Sequence, residues 1–117
     1  MSRRSRDPFL SDCLDCLAVV GDLRPRPMFG GTGIFRGRTM FALAHGGRLY
    51  LKTDSRTRER FEAAGGAAFQ PPAGAGWRST MSYHEMPADG WASEEGARRW
   101  AQAAIAAAHR DPDARPG

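Results

Sequence analysis

The sequence predicts a single α+β domain in which helices pack on an antiparallel sheet of about four or five strands. The sheet is predicted by Gly46-Gly47, a glycine pair between two apolar or alternating runs, Thr39 to His45 and Arg48 to Lys52. Such pairs mark tight hairpins, because the primed turns need positive φ at their central positions. A packed helix is predicted by apolar residues that recur at helical spacing from Ala97 to Ala108. At 117 residues, the chain has the common size of one domain.

The first element is predicted to be a helix from about Pro8 to Val20. Asp7 is a suitable N-cap, Pro8 suits the first helical position, and Gly21 suits the end. Its apolar face consists of Leu10, Cys13, Leu14 and Leu17.

A connector and then a strand are expected between this helix and the hairpin. Pro25 and Pro27 remove two backbone donors and restrict φ, so residues 21–27 are expected to be a connector rather than a helix or a central strand. Gly33 to Arg36 is predicted to be a strand, and Gly37 supplies the turn after it. Because the connections are short, three sequential antiparallel strands follow.

A short helix and one or two further strands are predicted after the hairpin. Asp54 or Ser55 is expected to cap a helix over residues 55–64, with Phe61 as its core anchor and Gly65-Gly66 as its end. Residues 67–70 are expected to be a short strand, residues 71–76 a loop, and residues 77–83 a strand, with Pro87 ending that region.

The last helix is predicted to begin after Ser93, its N-cap. Glu94 and Glu95 follow at once, where negative charge favours the positive end of the helix dipole. Its buried face is expected to consist of Ala97, Trp100, Ala101, Ala104, Ile105 and Ala108.

The charged residues do not indicate one class of partner. Sixteen arginines and a single lysine, Lys52, give a net charge of +4. They are dispersed among acidic residues, which favours an ordinary solvated surface, while binding of a polyanion stays open. No apolar run approaches the roughly 18 to 20 residues of a membrane span, and no apolar segment of a secretory signal follows the basic N-terminus. A cytoplasmic location is therefore expected.

Cys13 and Cys16 form a Cys-x-x-Cys pair, which raises the question of zinc or redox chemistry. Zinc normally has four ligands, and the sequence offers neither a second cysteine pair nor a closely spaced histidine pair. Both cysteines lie within an amphipathic helical pattern, so they are interpreted as buried apolar residues in a reducing compartment. No metal and no cofactor is expected.

The stretch PMFGGTGIF, residues 27–35, contains three glycines within four positions. A dinucleotide-binding loop needs Gly-x-Gly-x-x-Gly between a strand and a helix. Here Arg36 occupies the place of the third glycine, a strand follows, and no Gly-Lys-Ser/Thr of a phosphate-binding loop occurs. The glycines are therefore expected to allow a bulge or a tight bend where the chain enters the sheet.

Catalytic residues are not indicated by the sequence. Ser82 and His84 share one face of a strand, but no Gly-x-Ser-x-Gly elbow is present. His84 is expected at the surface or at a sheet edge. Glu59 and Glu62 lie about one helical turn apart among arginines, which fits surface ion pairs. The sequence therefore predicts that the protein is not an enzyme.

Four short motifs are spaced along the chain: MFGG at 28–31, MFAL at 40–43, LYLK at 49–52 and MSY at 81–83. In this order and spacing they resemble the N-terminal domain of the TfoX/Sxy competence regulators, and the likeness extends from the first helix to about Ala108. The family-motif residues, interpreted as structural, are Met28, Phe29, Gly30, Gly31, Gly33, Met40, Phe41, Leu49, Tyr50, Leu51, Met81, Ser82 and Tyr83.

The resemblance implies an α+β domain similar to the secretion-chaperone-like fold. It would occupy residues 7–109, between a flexible basic tail at 1–6 and a disordered tail at 110–117. In the family's regulators this domain precedes a C-terminal domain, and the full protein acts with the CRP activator to turn on DNA-uptake genes. The present chain is expected to be a stand-alone version of the N-terminal domain.

Three functions are compatible with the sequence. The favoured one is a regulatory domain that binds a protein of the transcription machinery. The chain is expected to be a monomer or homodimer and not to bind a membrane. The second is a nucleic-acid-binding module, and the third, least supported, is a phosphate-binding enzyme that uses the glycine loop. The candidate partner surface consists of Arg24, Arg26, Arg36, Arg38, Arg48 and Lys52.

Overall fold

The computed structural model describes residues 7–28, 30–70 and 82–111. The helices in these residues are α1 (Pro8–Leu17), α2 (Arg58–Ala63), α3 (Ala88–Ala92) and α4 (Glu94–Arg110). The strands are β1 (Arg24–Met28), β2 (Gly31–Arg36), β3 (Thr39–His45), β4 (Arg48–Lys52) and β5 (Tyr83–Glu85). They form one antiparallel sheet in the order β1-β2-β3-β4-β5. The predicted α+β class and the predicted size of the sheet are confirmed.

Helix α1 begins where the sequence predicts. The carboxylate of Asp7 accepts a hydrogen bond from the backbone N–H of Phe9 at 3.0 Å, as an N-cap should. The last predicted turn, Ala18–Val20, is a 3₁₀ turn. Gly21 ends it with a φ of 112°, a conformation that favours glycine.

Strand β1 lies where the sequence predicts a connector, so that prediction is wrong. Pro25 and Pro27 lie opposite Ile34 and Thr32, in register with β2. In an extended chain, residues two positions apart have their backbone N on the same side of the strand, so both prolines lack a donor on one side only. Because β1 is an edge strand, that side can be the open edge, where no donor is needed. Two prolines exclude a central strand, but they are compatible with an edge and discourage a further strand from pairing there.

The predicted meander of three strands is confirmed. Strands β3 and β4 have the predicted bounds. Gly46 and Gly47 between them have φ values of 60° and 76°, both positive as a tight primed turn requires. Strand β2 begins at Gly31, two residues earlier than predicted, and ends at Arg36 as predicted.

The glycines at the start of β2 allow a turn and two close approaches. Gly30 has a φ of 83° and lies between β1 and β2. A Cβ on Gly31 would lie 2.7 Å from the backbone oxygen of Ala44, and a Cβ on Gly33 would lie 2.9 Å from the sulfur of Met40. At Gly31 the obstacle is backbone, so the sheet can pack in this way only around glycine, whereas at Gly33 the flexible end of Met40 would have to move. The predicted tight bend is present.

A β-bulge interrupts the pairing of β2 with β3. The register passes from Ile34 opposite Ala42 to Phe35 opposite Met40, so Phe41 is the extra residue. The bulge places two consecutive residues, Phe41 and Ala42, in the apolar cluster that includes the helices.

Helix α2 is shorter than predicted and begins three residues later. The carboxylate of Asp54 accepts hydrogen bonds from the N–H of Arg56 at 3.0 Å and from the hydroxyl of Thr57 at 3.3 Å. These bonds stabilise a turn before the helix, so Asp54 acts as a turn residue rather than as the N-cap. Phe61 is fully buried, as its predicted role requires.

The strand predicted over residues 77–83 is described only in part, because residues 71–81 lie outside the described part of the chain. The described strand, β5, begins at Tyr83 and runs two residues beyond the predicted end. The short strand expected at residues 67–70 is a single bridge between Ala68 and His84. The loop expected at residues 71–76 also lies outside the described residues.

Helix α4 is the predicted last helix. The hydroxyl of Ser93 accepts a hydrogen bond from the N–H of Gly96 at 2.9 Å, and every residue predicted for its inner face is buried. Helix α3 precedes it and is not predicted by the sequence. The indole N–H of Trp100 donates to the carboxylate of Asp89 at 2.8 Å, which holds α3 against α4.

The sheet separates two apolar clusters. The larger lies between the sheet and the helices, where the rings of Phe61 and Trp100 have centroids 4.6 Å apart. The smaller lies on the opposite face and consists of Phe35, Met40, Leu43 and Tyr83, with Met28, Tyr50 and Phe69 partly buried against it. Both faces of the sheet therefore contribute to the core.

Replacing Trp100 by alanine should lower the free energy of unfolding by about 3–5 kcal/mol, since the side chain is only 7% exposed and packs on Phe61. Trp100→Phe loses the hydrogen bond to Asp89 and part of the buried ring system but keeps one aromatic ring in the core, so its loss should be smaller. Urea denaturation measures both. A loss below about 1 kcal/mol for Trp100→Ala would show that the ring does not contribute to the core.

Replacing Gly31 by alanine should destabilise the protein by about 1–3 kcal/mol, because the new Cβ meets the backbone of Ala44, which cannot move without disturbing the sheet. Gly33→Ala is the matched control. Its Cβ meets the flexible ends of Met28 and Met40, so the loss should be smaller. A larger loss for Gly33→Ala than for Gly31→Ala in thermal unfolding would contradict this account.

Candidate interaction surface

Arg24 and Arg26 lie on β1, on the face of the sheet that points away from the helices. They pair with Phe35 and Gly33, and directly opposite residues share a face. The guanidinium of Arg26 lies 5.4 Å from the centroid of the Phe35 ring, in a cation–π arrangement. Both arginines are exposed, so they offer positive charge at this edge of the smaller cluster.

Arg36 and Arg38 lie at the turn between β2 and β3. Both are exposed, and no carboxylate among the described residues pairs with either of them. Arg36 pairs with Thr39 in the sheet and lies on the helix side, near α4. It is therefore on the opposite face from Arg24 and Arg26.

Arg48 lies at the other end of the sheet, opposite His45. Its guanidinium is 3.1 Å from both carboxylate oxygens of Glu85, so its charge is compensated. The structure therefore brings Arg24 and Arg26 together on one face and Arg36 and Arg38 together at one turn, but it does not gather the five arginines into one patch.

Lys52 lies inside the fold, and we remove it from the candidate surface. It is 3% exposed. Its ammonium is 2.6 Å from the carboxylate of Asp111 and 5.4 Å from the centroid of the Tyr83 ring. Burial raises the pKa of Tyr83 above its ordinary value, and the nearby carboxylate of Asp111 raises it further. Lys52 follows Leu51 in a strand with both faces buried, so a charged residue there needs an internal partner.

A groove of about 360 Å³ lies between α4, the 3₁₀ turn and the end of β2. Its lining consists of Val19, Val20, Arg36, Gln102, Ile105, Ala106 and His109. We call it the α4 groove. Val19, Val20, Ile105 and Ala106 supply its aliphatic part, and Arg36, Gln102 and His109 supply a polar part of about the same extent. None of these lining residues is acidic.

Apart from Arg36, the residues of the α4 groove are not among the candidates that the sequence provides. They come from three separate elements. On α4, Ile105 lies at the edge of the predicted inner face, while Gln102, Ala106 and His109 lie on the flank. No local spacing relates Val20 to Ile105, so only the packing of α4 beside the 3₁₀ turn could identify the groove.

The family-motif residues mostly build the sheet. The buried ones are Gly33, Met40, Phe41, Leu49, Leu51 and Tyr83. The half-buried ones are Met28, Gly31, Tyr50 and Ser82. Gly30 is exposed in a turn, while Phe29 and Met81 lie outside the described residues. The described motif side chains therefore contribute to packing and present little free surface.

His84 lies on β5, an edge strand of the sheet, but its side chain is buried, so the expectation of a surface histidine is wrong. It is 2% exposed. Its Nδ1 lies 2.9 Å from the hydroxyl of Thr53, and its Nε2 lies 2.9 Å from the carboxylate of Glu62. The hydroxyl of Thr53 is also 2.7 Å from that of Ser82. These four side chains form a polar network between β4, β5 and α2.

The order of groups in this network, hydroxyl, imidazole and carboxylate, is that of a nucleophilic triad. A nucleophile must also be reached by a substrate. Thr53 is 1% exposed, and its hydroxyl is already shared between His84 and Ser82. We therefore interpret the network as a structural cross-link that provides a buried imidazole with hydrogen-bond partners on both nitrogens.

The two cysteines are free thiols in an environment of low reactivity. Cys13 is fully buried, as predicted, and burial raises its pKa to about 12. Cys16 is half-buried, its pKa is also raised by burial, and its sulfur lies 3.5 Å from the carbonyl oxygen of Gly90. A neutral thiol is a poor nucleophile and a poor metal ligand.

The part of the chain that the structure describes contains neither a candidate metal site nor a candidate membrane-spanning helix. No three His, Cys, Asp or Glu side chains come together there in a way that could hold a metal ion. None of the helices there is both long enough and apolar enough to cross a membrane.

The sheet order, the glycine turns and the alanine-rich last helix define a small α+β domain whose motif residues build its sheet. Comparison with known proteins identifies the family of this domain. The family model of the TfoX N-terminal domain matches residues 15–108, so the chain belongs to that family. The resemblance inferred from the four motifs is thereby confirmed.

A named relative supports the same assignment. The DNA transformation protein TfoX1 of Aliivibrio fischeri (strain ATCC 700601 / ES114) is 39% identical to the chain over 51 residues. The match covers 44% of this chain and 24% of the relative, so it spans only about a quarter of that protein's length. The family is thus related to competence-associated proteins.

Replacing Asp111 by asparagine should destabilise the protein by about 1–3 kcal/mol, because it leaves the buried ammonium of Lys52 without its carboxylate. Lys52→Met is the matched control: it removes the charge and keeps an apolar stem beside Tyr83. Its loss in urea denaturation should be smaller. If Lys52→Met were the more damaging change, the ion pair would be a net source of stability.

Proposed function

We propose that this chain is a protein-interaction domain of a transcription-regulating assembly, located in the cytoplasm and without chemistry of its own. The observation that carries the proposal is its membership in the TfoX N-terminal domain family, together with a relative named as a DNA transformation protein. The side chains best suited to chemistry support it as well. His84, Lys52 and Cys13 are all buried, and the first two are held by partners within the fold.

The positions of the arginines do not favour a nucleic-acid-binding module. Affinity for duplex DNA depends on several cations that reach phosphates from one surface. Here Arg48 is paired with Glu85, Lys52 is buried, and the remaining candidates divide between two faces of the sheet.

The glycine loop does not favour a phosphate-binding enzyme. A phosphate loop leaves its backbone amides open at the start of a helix. Here the glycines lead into β2, and the space beside Gly31 and Gly33 is filled by Ala44, His45 and the methionines at 28 and 40. The loop therefore supports packing of the sheet rather than a ligand.

Site-specific photo-cross-linking in the native cell tests the interaction. p-Benzoylphenylalanine replaces one exposed residue at a time: Arg26 on the sheet face, Arg36 at the α4 groove and Arg58 on α2. We expect a discrete cross-linked protein at some of these positions and not at others, identified by mass spectrometry as a transcription regulator or a polymerase subunit. Cross-links at none of the positions, or only to nucleic acid, would overturn the proposal.

Binding to generic duplex DNA should be weak and only shallowly dependent on salt. Six to ten phosphate contacts would reduce affinity by about 10³–10⁵ between 50 and 200 mM salt, and this surface does not gather that many cations. Fluorescence anisotropy at two salt concentrations measures the slope. A steep slope that Arg24→Gln and Arg26→Gln both reduce would favour the nucleic-acid module instead.

A further inference from the structure

We propose that the α4 groove binds a short acidic segment of a partner protein, with an aliphatic side chain on the groove floor and a carboxylate on Arg36. This inference rests on the proposed function, because it names the surface and the partner chemistry of that interaction.

The floor of the α4 groove suits an aliphatic side chain. Val19, Val20, Ile105 and Ala106 supply its apolar surface. Val20 and Ile105 are each 8% exposed and belong to the larger core cluster, so the floor is anchored in the core. A leucine or valine side chain placed there would lose apolar surface to water without requiring the domain to rearrange.

The charge of the groove suits a carboxylate. Arg36 is exposed and has no carboxylate partner among the described residues. By contrast, the guanidinium of Arg110, the last residue of α4, pairs with the carboxylate of Asp54. None of the groove-lining residues is acidic, and Gln102 and His109 add hydrogen-bonding groups. An arginine at the margin of an apolar groove favours a carboxylate, with which it can form two parallel hydrogen bonds.

The form of the groove favours a peptide over a free metabolite or a nucleic acid. Small-molecule sites usually bury most of their ligand, but this groove is partly open to solvent. An extended chain can place one side chain in it and continue across the surface. Single-stranded nucleic acids need aromatic rings for their bases to stack on, and the floor here is aliphatic.

An NMR titration with three defined peptides tests the proposal. The probes are acetyl-EDLLDE-amide, acetyl-EDAADE-amide and acetyl-KRLLRK-amide, added to the ¹⁵N-labelled full chain. We expect the first peptide to shift the amides of Val20, Ile105 and Ala106 in a saturable manner. The second should bind at least about tenfold more weakly because it lacks the leucines, and the third should not saturate.

Two variants and one control separate the groove from general electrostatic attraction. Arg36→Glu should weaken binding of acetyl-EDLLDE-amide by about tenfold or more, as expected for the loss of a charge-assisted hydrogen bond. Ala106→Trp should weaken it by filling the groove. Arg38→Glu makes the same change of charge two residues further along the chain, outside the groove lining, and should leave binding close to that of the unchanged chain. All three residues are exposed, and thermal unfolding verifies that each variant is folded.

Several results would overturn the proposal. Shifts centred away from the groove, equal binding of all three peptides, or an equal loss with Arg36→Glu and Arg38→Glu would each do so. Self-association of the chain that Arg36→Glu abolishes, seen by sedimentation without peptide, would instead assign the groove to a second copy. Partner cross-links that form only outside the groove would sustain the proposed function while this inference fails, whereas cross-links at no position would refute the proposed function itself.

Discussion

The contact between α4 and the sheet is the interaction on which the rest of the structure depends. Alanines form most of the inner face of α4 and allow its backbone to lie close to β3 and β4. Larger side chains then complete the core from both sides of this contact: Phe41 from the bulge in β3, Phe61 from α2 and Trp100 from α4 itself. This close approach lets α4 cover β3 and β4, while α1, the 3₁₀ turn and α2 complete the same cluster around it.

The position of α4 also determines what remains open. Its inner face packs into the core. The edge of that face at Ile105 and the flank at Ala106 and His109 line the α4 groove beside the 3₁₀ turn. The C-terminal end of α4 brings Arg110 to Asp54, and Asp111 after it to Lys52. The hydrogen bond from Arg110 lowers the pKa of Asp54, while burial opposes that effect. These polar contacts join the end of α4 to the end of β4 and to the turn that follows it.

Much of the fold could be predicted because its elements depend on local rules. Gly46-Gly47 specifies a hairpin whatever surrounds it, Ser93 caps a helix through its own hydroxyl, and the alanine-rich face of α4 has a clear helical period. Strand β1 was missed because Pro25 and Pro27 exclude only a central strand, and its place at the edge depends on pairing with β2. Helix α3 is five residues long and carries no period by which it could be recognised.

The candidate site could be predicted much less well, since a surface depends on which elements lie side by side. The sequence by itself determined the α+β class, the meander, the last helix and the family, because turns, caps and motif spacing act over a few residues. Only the tertiary structure decided that Lys52 and His84 are internal, that the arginines divide between two faces, and that Arg36 lines a groove together with aliphatic side chains. The physical reason is that the burial and charge of a side chain depend on its neighbours in space. Asp111 lies 59 positions from Lys52 and Ile105 lies 85 positions from Val20, so no local pattern relates these residues to each other.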